Sequence, residues 1–94
     1  MCMNDYYVYI LTNEHHTVLY IGVTNNIRRR VYEHKMEVNE GFTQHYQVHK
    51  LIYVESCHNI DDAIAREKQL KGWTRKKKEA LIAKVNPEWK EIEV

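Results

Sequence analysis

The sequence predicts an α+β fold in which a small, mostly antiparallel sheet is flanked by helices, in the order β-β-α-β-α-α. Three observations support this prediction. Two β-rich runs near the amino terminus are separated by a short polar turn, as in a hairpin. A third β-rich run lies near the middle of the chain. Amphipathic segments with helix start and stop residues fill the rest of the sequence.

Length and composition predict one small domain spanning residues 1–94. Hydrophobic residues make up 44% of the chain and charged residues 29%, which is typical of a globular protein rather than a disordered one. No apolar run approaches the roughly 18 residues of a membrane-spanning helix, and no signal peptide is visible. We therefore expect a cytoplasmic protein with no membrane association, in which Cys2 and Cys57 are thiols. The formal charge of +1 neither favours nor excludes a nucleic-acid partner, so such a role depends on local clusters of charge.

The amino-terminal hairpin is predicted from residues 5–11 and 18–23, with a turn at residues 12–17. A loop centred between Glu14 and His15 would place Tyr9 opposite Tyr20. Directly opposed residues share a face of the sheet, so the two phenols would lie side by side. A cross-strand aromatic pair that only packs is the alternative interpretation.

The first helix is predicted to run from near Asn26 to about Val38, with Asn25 as its N-cap and residues 39–41 ending it. Its first turn carries three consecutive arginines. Arg30 and His34 are four residues apart and therefore lie on one face, which suits contact with a phosphate. A solvated basic face is the alternative interpretation of this helix.

A third strand is expected at residues 47–55, and a second helix at residues 60–71, between Asn59 as the cap and Gly72. The apolar stripe of that helix should consist of Ile60, Ala63, Ile64 and Leu70, but Glu67 interrupts it. A carboxylate within a core-facing stripe breaks the amphipathic pattern and indicates a functional residue. The alternative is a glutamate at the edge of the stripe that pairs with Lys71.

The third helix is predicted from Arg75 to about Val85, with Leu81, Ile82 and Val85 facing inward and the Asn86–Pro87 pair ending it. Its first turn carries four cations, which oppose the helix dipole. A bound phosphate would be stabilised there, although a solvated basic turn is the simpler interpretation.

Together, the tyrosines, the Arg30–His34 pair and Glu67 are the parts of a phosphodiesterase that uses a single metal ion. One carboxylate suits Mg²⁺, which keeps several waters and often takes substrate phosphate oxygens as further ligands. Arg30 near that phosphate would stabilise charge that develops in the transition state.

The spacing of these residues resembles a known family. Tyr7-Val8-Tyr9 followed, after ten residues, by Tyr20-Ile21-Gly22 resembles the paired signature of the GIY-YIG nuclease superfamily. Arg30 and Glu67 stand where that family has its catalytic arginine and metal-binding glutamate. Residues 65–73 and the Asn86–Pro87 pair resemble the small stand-alone bacterial members, which are similar to the amino-terminal domain of the excinuclease C subunit.

The resemblance implies a three-stranded antiparallel sheet flanked by helices and an endonuclease that hydrolyses DNA phosphodiester bonds, in DNA repair or in processing of branched DNA. Glu67 would hold Mg²⁺ or Mn²⁺, with no small-molecule cofactor, while Tyr9 and Tyr20 position or activate water and Arg30 braces the phosphate. His34 would assist as a base or orienting group. The residues expected to contact DNA are Arg28, Lys71, Arg75, Lys76, Lys77 and, as a structural or phosphate-contacting residue, Asn86.

The chain also departs from the family pattern. Tyr7 replaces the first glycine, and Val23 stands where the excinuclease branch has a lysine. No additional DNA-binding domain is present in this sequence, which leaves target choice and any targeting partner open. The alternatives are a non-catalytic nucleic-acid-binding module with the same fold and a purely structural or interaction protein. A zinc site is disfavoured because six histidines and two cysteines show no zinc-binding spacing.

Overall fold

The structure is a computed structural model that describes residues 5–36 and 48–94. The predicted order of elements is confirmed. Within those residues, three strands and three helices follow one another as β1 (Tyr6–Thr12), β2 (Leu19–Thr24), α1 (Ile27–Lys35), β3 (Lys50–Cys57), α2 (Ile60–Lys71) and α3 (Arg75–Val85).

The strands form one antiparallel sheet in the order β2-β1-β3, so β1 is central. The predicted hairpin register is wrong by two residues, because Tyr9 pairs with Gly22 rather than with Tyr20. The turn has the expected length but lies one residue further along the chain, and the Asn13 Oδ1 atom accepts hydrogen bonds from the backbone N–H groups of Thr17 and Val18. A shift of two residues preserves the face of each side chain, so both tyrosines still lie on one face.

Hydrophobic side chains are buried on both faces of the sheet. Alternation along β1 sends Val8 and Ile10 to the face covered by α2 and α3, and Tyr9 and Leu11 to the opposite face, which α1 covers. A bulge opposite Ile10 and Leu11 inserts one extra residue in β3. The sheet is therefore a layer between two small cores, and Tyr9 belongs to the core beneath α1.

Helix α1 begins and ends at different residues from those predicted. Asn26, not Asn25, is its N-cap, because the Asn26 Oδ1 atom accepts a hydrogen bond from Arg29 N at 3.1 Å. The helix ends at Lys35 rather than near Val38. The predicted stop at residues 39–41 lies outside the described residues. Strand β3 begins at Lys50 rather than at residue 47 and ends at Cys57 rather than at residue 55.

The predictions for α2 and α3 hold for their bounds and in part for their faces. Asn59 and Thr74 cap the two helices through side-chain acceptors. Ile82 is fully buried, but Val85 is 68% exposed, so the prediction that it faces inward is wrong. Val85 is the last residue of α3.

Beyond α3, the carboxyl-terminal tail runs back along the sheet. The Asn86 side chain donates hydrogen bonds to the carbonyl oxygens of Ile52 and Lys90, at 2.9 and 2.8 Å. Ile92 N donates to Leu51 O at 2.8 Å, and the Ile92 side chain packs into the core under α1. No helix within residues 5–36 and 48–94 is both long and apolar enough to cross a membrane.

Candidate active site

The Tyr9 phenol is the centre of the candidate site. Its side chain is 1% exposed, and its hydroxyl oxygen accepts a hydrogen bond from Arg30 Nε at 3.1 Å. The same oxygen lies 3.3 Å from His34 Nε2. A residue in the middle of β1 is thus joined to two residues one turn apart on α1. The structure brings together these three side chains, as their predicted roles require.

Gly22 makes this position of Tyr9 possible. The two residues are directly paired across β1 and β2, and the Tyr9 ring crosses over the glycine. A Cβ atom at Gly22 would lie 2.5 Å from the Tyr9 hydroxyl oxygen and 2.6 Å from the ring carbon that bears it. Only glycine fits beneath the phenol, a requirement of packing rather than of backbone conformation.

Tyr20 and His34 complete an aromatic group around Tyr9. The ring centroids are 6.3 Å apart for Tyr9 and Tyr20, 5.9 Å for Tyr9 and His34, and 5.5 Å for Tyr20 and His34. The Tyr20 phenol also forms a hydrogen bond that favours the charged form of Arg30. We refer to Tyr9, Tyr20, Arg30 and His34 as the tyrosine–arginine cluster.

Burial determines the protonation of two members of this cluster. It raises the pKa of Tyr9 to about 12, although the hydrogen bond from Arg30 opposes the shift. Burial, with the nearby Arg30 charge, lowers the pKa of His34 to about 4. Near neutral pH, Tyr9 is therefore an un-ionised phenol and His34 a neutral imidazole. The Tyr9 O–H can donate to His34 Nε2 while its oxygen accepts from Arg30.

Arg30 is held by a residue that the sequence analysis did not select. Its Nη1 atom donates to Glu33 Oε1 at 3.1 Å, and Arg29 Nε lies 3.8 Å from the other oxygen of the same carboxylate. Burial disfavours the Arg30 cation, but its hydrogen bonds to Tyr9 and Glu33 outweigh this effect and raise its pKa. The spacing of Glu33 from the two arginines, i+3 and i+4 on a helix, is the sequence signal that would have indicated it.

Glu67 lies close to the cluster without bonding to it directly in the contacts described. Its negative charge contributes to the raised pKa of Tyr9. The side chain is 21% exposed, and one carboxylate oxygen lies 3.1 Å from Lys71 Nζ. The alternative predicted for this residue, a pair with Lys71, is therefore present alongside its proximity to Tyr9.

The carboxylate of Glu67 is compatible with a metal ion that takes few protein ligands. Within residues 5–36 and 48–94, no group of three or more histidine, cysteine, aspartate or glutamate side chains could enclose a metal. A closed zinc site needs such a group, so none can form within these residues. A single half-buried carboxylate suits Mg²⁺ or Mn²⁺, whose other ligands would be water and substrate oxygens.

The residues predicted to contact DNA occupy different environments. Arg75 donates to the carbonyl oxygens of His16 and Thr17, at 2.6 and 2.8 Å, and so fastens α3 to the hairpin turn. Asn86 holds the tail, which agrees with the structural role considered for it. The side chains left at the surface are those of Arg28, Lys71, Lys76 and Lys77, with Lys77 Nζ 4.9 Å from the centre of the Trp73 ring. Their contacts with DNA stay a prediction.

Comparisons with known proteins agree with this fold. The family model described as the GIY-YIG catalytic domain matches residues 5–80. That range includes every member of the tyrosine–arginine cluster, and also Glu67. The chain therefore belongs to the GIY-YIG family, which places it in a nuclease superfamily.

Its relatives include small proteins of similar length. A UPF0213 protein of Natronomonas pharaonis is 37% identical over 79 residues, which cover 84% of this chain and 92% of the relative. A UPF0213 protein of Limosilactobacillus reuteri is 33% identical over 84 residues, covering 87% and 86%. The solution NMR structure of the UPF0213 protein BH0048 from Bacillus halodurans superposes with a TM-score of 0.58 at 25% identity, over 90% of this chain and 89% of that one. The chain is thus similar to small stand-alone GIY-YIG proteins.

Proposed function

We propose that this chain is a metal-dependent endonuclease that hydrolyses phosphodiester bonds of DNA, acting in the cytoplasm in repair or in processing of branched DNA. The observation that carries the proposal is the hydrogen bond from Arg30 Nε to the buried Tyr9 phenol, beside Tyr20 and within the electrostatic reach of Glu67. In this proposal, the phenols contact the attacking water, the guanidinium binds the phosphate and the carboxylate binds the metal ion.

Arg30 is the proposed phosphate ligand. Its Nε–H is fixed by Tyr9, so the guanidinium plane is set before substrate arrives. Arg30 Nη1 donates a hydrogen bond to the carboxylate of Glu33. A phosphate, like a carboxylate, can accept hydrogen bonds from two nitrogens of one guanidinium. A bound phosphate would exchange with Glu33 and gain the preorganised donors that stabilise developing charge.

Tyr20 is the proposed contact to the attacking water, and Tyr9 supports it. Tyr9 is fully buried and its pKa is raised to about 12, so in the free protein it is a hydrogen-bond donor and not a base. Tyr20 is only half-buried and lies on the same face. His34, neutral because burial lowers its pKa to about 4, can accept a hydrogen bond from the Tyr9 hydroxyl and so keeps the phenol oxygen directed at Arg30.

Glu67 is the proposed protein ligand for Mg²⁺ or Mn²⁺. When bound, the ion supplies charge neutralisation at the phosphate and lowers the pKa of coordinated water. Lys71 pairs with Glu67 at 3.1 Å, and its side chain is 55% exposed, so it is free to move to a DNA phosphate. The exposed cations proposed to bind the DNA backbone are Arg28, Lys71, Lys76 and Lys77, while Arg75 and Asn86 hold the adjoining backbone in place.

The test is cleavage of supercoiled plasmid and of branched DNA with Mg²⁺ or Mn²⁺. We expect Glu67→Gln and Arg30→Lys each to lower the cleavage rate by roughly 10²- to 10³-fold, the usual effect of removing one group that stabilises a transition state. EDTA should abolish cleavage by the parent protein.

Two matched variants control for changes in charge and fold. Glu79 forms an i,i+4 pair with Arg75, as Glu67 does with Lys71, so Glu79→Gln should leave the rate unchanged. Arg66→Lys alters an arginine with the same 26% side-chain exposure as Arg30. Equal activity in all four variants would identify a contaminant and reject the proposal. DNA binding without cleavage would instead support the non-catalytic module.

A further inference from the structure

A groove that the catalytic proposal does not use opens beside Arg30. Its volume is about 340 Å³, and it lies between the amino-terminal ends of α1 and α2. One side is apolar and is lined by Tyr6, Val23 and Ile60; the other is polar and is lined by Asn25, Arg29 and Arg30. We refer to it as the Ile60 groove. Arg30 belongs both to this groove and to the tyrosine–arginine cluster, so the two sites are continuous.

The apolar side of the Ile60 groove is accessible to a ligand. Ile60 is 40% exposed at the first position of α2, although it belongs to the stripe expected to face the core. Tyr6 and Val23 pack against the core from the end of the sheet, yet each keeps part of its surface exposed. An aromatic ring beside two aliphatic side chains is the kind of surface on which a nucleobase stacks.

The polar side supplies charge that matches a nucleic-acid backbone. Arg29 lies on the exposed face of α1, where its Nη2 atom is 3.5 Å from the Asn25 side-chain oxygen. Glu33 pairs with both Arg29 and Arg30 and is the acidic residue among those that line the groove. Its two partners leave a net positive charge on this side, so an anion is favoured there.

A ligand with a phosphate at Arg30 and a flat apolar face in the groove is a nucleotide. In a continuous duplex, both faces of each base are covered by stacking and its edge is paired, so no base is available to enter such a groove. An unpaired base carries no such penalty. The occupant that fits both sides is therefore a nucleotide without a pairing partner.

We infer that the Ile60 groove binds an unpaired nucleotide adjacent to the phosphate held at Arg30, so that the protein selects single-stranded or flap-containing DNA over continuous duplex. This inference rests on the proposed function, because it takes Arg30 as the phosphate ligand.

The test measures binding and not cleavage, so it is independent of catalysis. Fluorescence anisotropy in EDTA would compare a labelled single strand of about 12 nucleotides with the same sequence in a blunt duplex, a length within the range of single-strand sites. We expect the parent protein to bind the single strand at least ten-fold more tightly than the duplex at equal salt. Ile60→Ala and Tyr6→Leu should each weaken single-strand binding by roughly five-fold or more, the lower end of the contribution of one stacked base.

Two further variants separate a groove from a generally apolar or unstable surface. Ile64 is 38% exposed, against 40% for Ile60, one turn along α2, but it does not line the groove, so Ile64→Ala should bind as the parent does. Tyr6→Phe keeps the ring and should retain binding, and thermal unfolding would verify that each variant is folded. Equal affinity for single strand and duplex, or equal losses in the Ile60 and Ile64 variants, would overturn the inference. Plasmid cleavage with no preference in binding would leave the proposed nuclease standing and reject the groove alone.

Discussion

Gly22→Ala tests whether packing beneath Tyr9 organises the site. The added methyl group would lie 2.5 Å from the Tyr9 hydroxyl oxygen and 2.6 Å from the adjoining ring carbon. Ordinary contacts of this kind are about 3.5–4 Å, so the ring or the strand must move by roughly 1 Å. Tyr9 is 1% exposed, and no free space allows that movement without displacing its neighbours. Arg30 Nε is 3.1 Å from the phenol oxygen, and the same displacement would break that hydrogen bond.

The expected cost follows from overpacking. Methyl groups forced into a close-packed core typically destabilise a protein by about 1–3 kcal/mol. For a domain of this size, each kcal/mol corresponds to roughly 4–8 °C in Tm, so we expect Gly22→Ala to unfold about 5–20 °C below the parent protein. Cleavage at a temperature where the variant is still folded should also fall, because Arg30 loses the contact that orients it.

Gly72→Ala is the matched control. A Cβ atom there would lie 3.5 Å from its nearest neighbour, and the residue has a φ of −79°, which alanine adopts freely. We expect its Tm to equal or exceed that of the parent, since alanine reduces the entropy of the unfolded chain. Both variants can be measured by thermal and urea unfolding followed by circular dichroism. If Gly22→Ala has the same Tm as Gly72→Ala and retains full cleavage, the close approach of Tyr9 to Gly22 does not organise the site.

Three further predictions concern stability and binding. Burial lowers the pKa of His34 from 6.5 to about 4, so its stabilisation is complete above pH 6.5 and is lost as the pH falls to about 4. Over that window, the free energy of unfolding of the parent in urea should drop by at most about 3 kcal/mol more than that of His34→Phe, and parallel curves would contradict this. Asn86→Ala removes three hydrogen bonds and should cost about 1–3 kcal/mol in urea unfolding, against about 0.5 kcal/mol or less for the exposed Asn25→Ala, and equal costs would refute a role in holding the tail. Glu33→Gln removes the carboxylate that competes with phosphate for Arg30, and it should tighten single-strand binding in EDTA by roughly 1.5- to 5-fold, the range of exposed ion pairs. Glu79→Gln should leave this binding unchanged. Weaker binding by the Glu33 variant would count against the idea that phosphate displaces Glu33 from Arg30.

The sequence predicts most of the fold because its local signals agree with the tertiary structure. The predicted cap Asn59 lies where α2 begins, and the runs rich in β-branched and aromatic residues form strands. The hairpin register failed because it depends on the side chain of Asn13, which bonds to backbone groups further along the turn. Such a bond can form at several loop lengths, so spacing alone does not determine the register.

The sequence indicated which residues belong to the candidate site, but not which of them contact one another. Tyr9, Arg30 and Glu67 stood out because each departs from an ordinary strand or helix pattern or fits a family signature. The competition of Glu33 for Arg30 and the packing of Gly22 depend on distances across elements, which no pattern within one element contains. For Arg75, the basic run indicated a contact with DNA, but in the structure its guanidinium donates hydrogen bonds to the hairpin turn.

The central position of β1 has a consequence for the order in which the chain folds. Its two neighbours differ in sequence separation, since Thr12 pairs with Leu19 nearby in β2, but with Lys50 in β3. Loop-closure entropy makes the second pairing costlier by roughly 1–2 kcal/mol, so the hairpin should assemble first and β3 should join later. The hairpin and α1 already carry both tyrosines and the arginine, while the glutamate reaches them only after β3 and α2 dock. The nascent chain would therefore bring together the proposed phosphate-binding residues before the proposed metal-binding glutamate joins them.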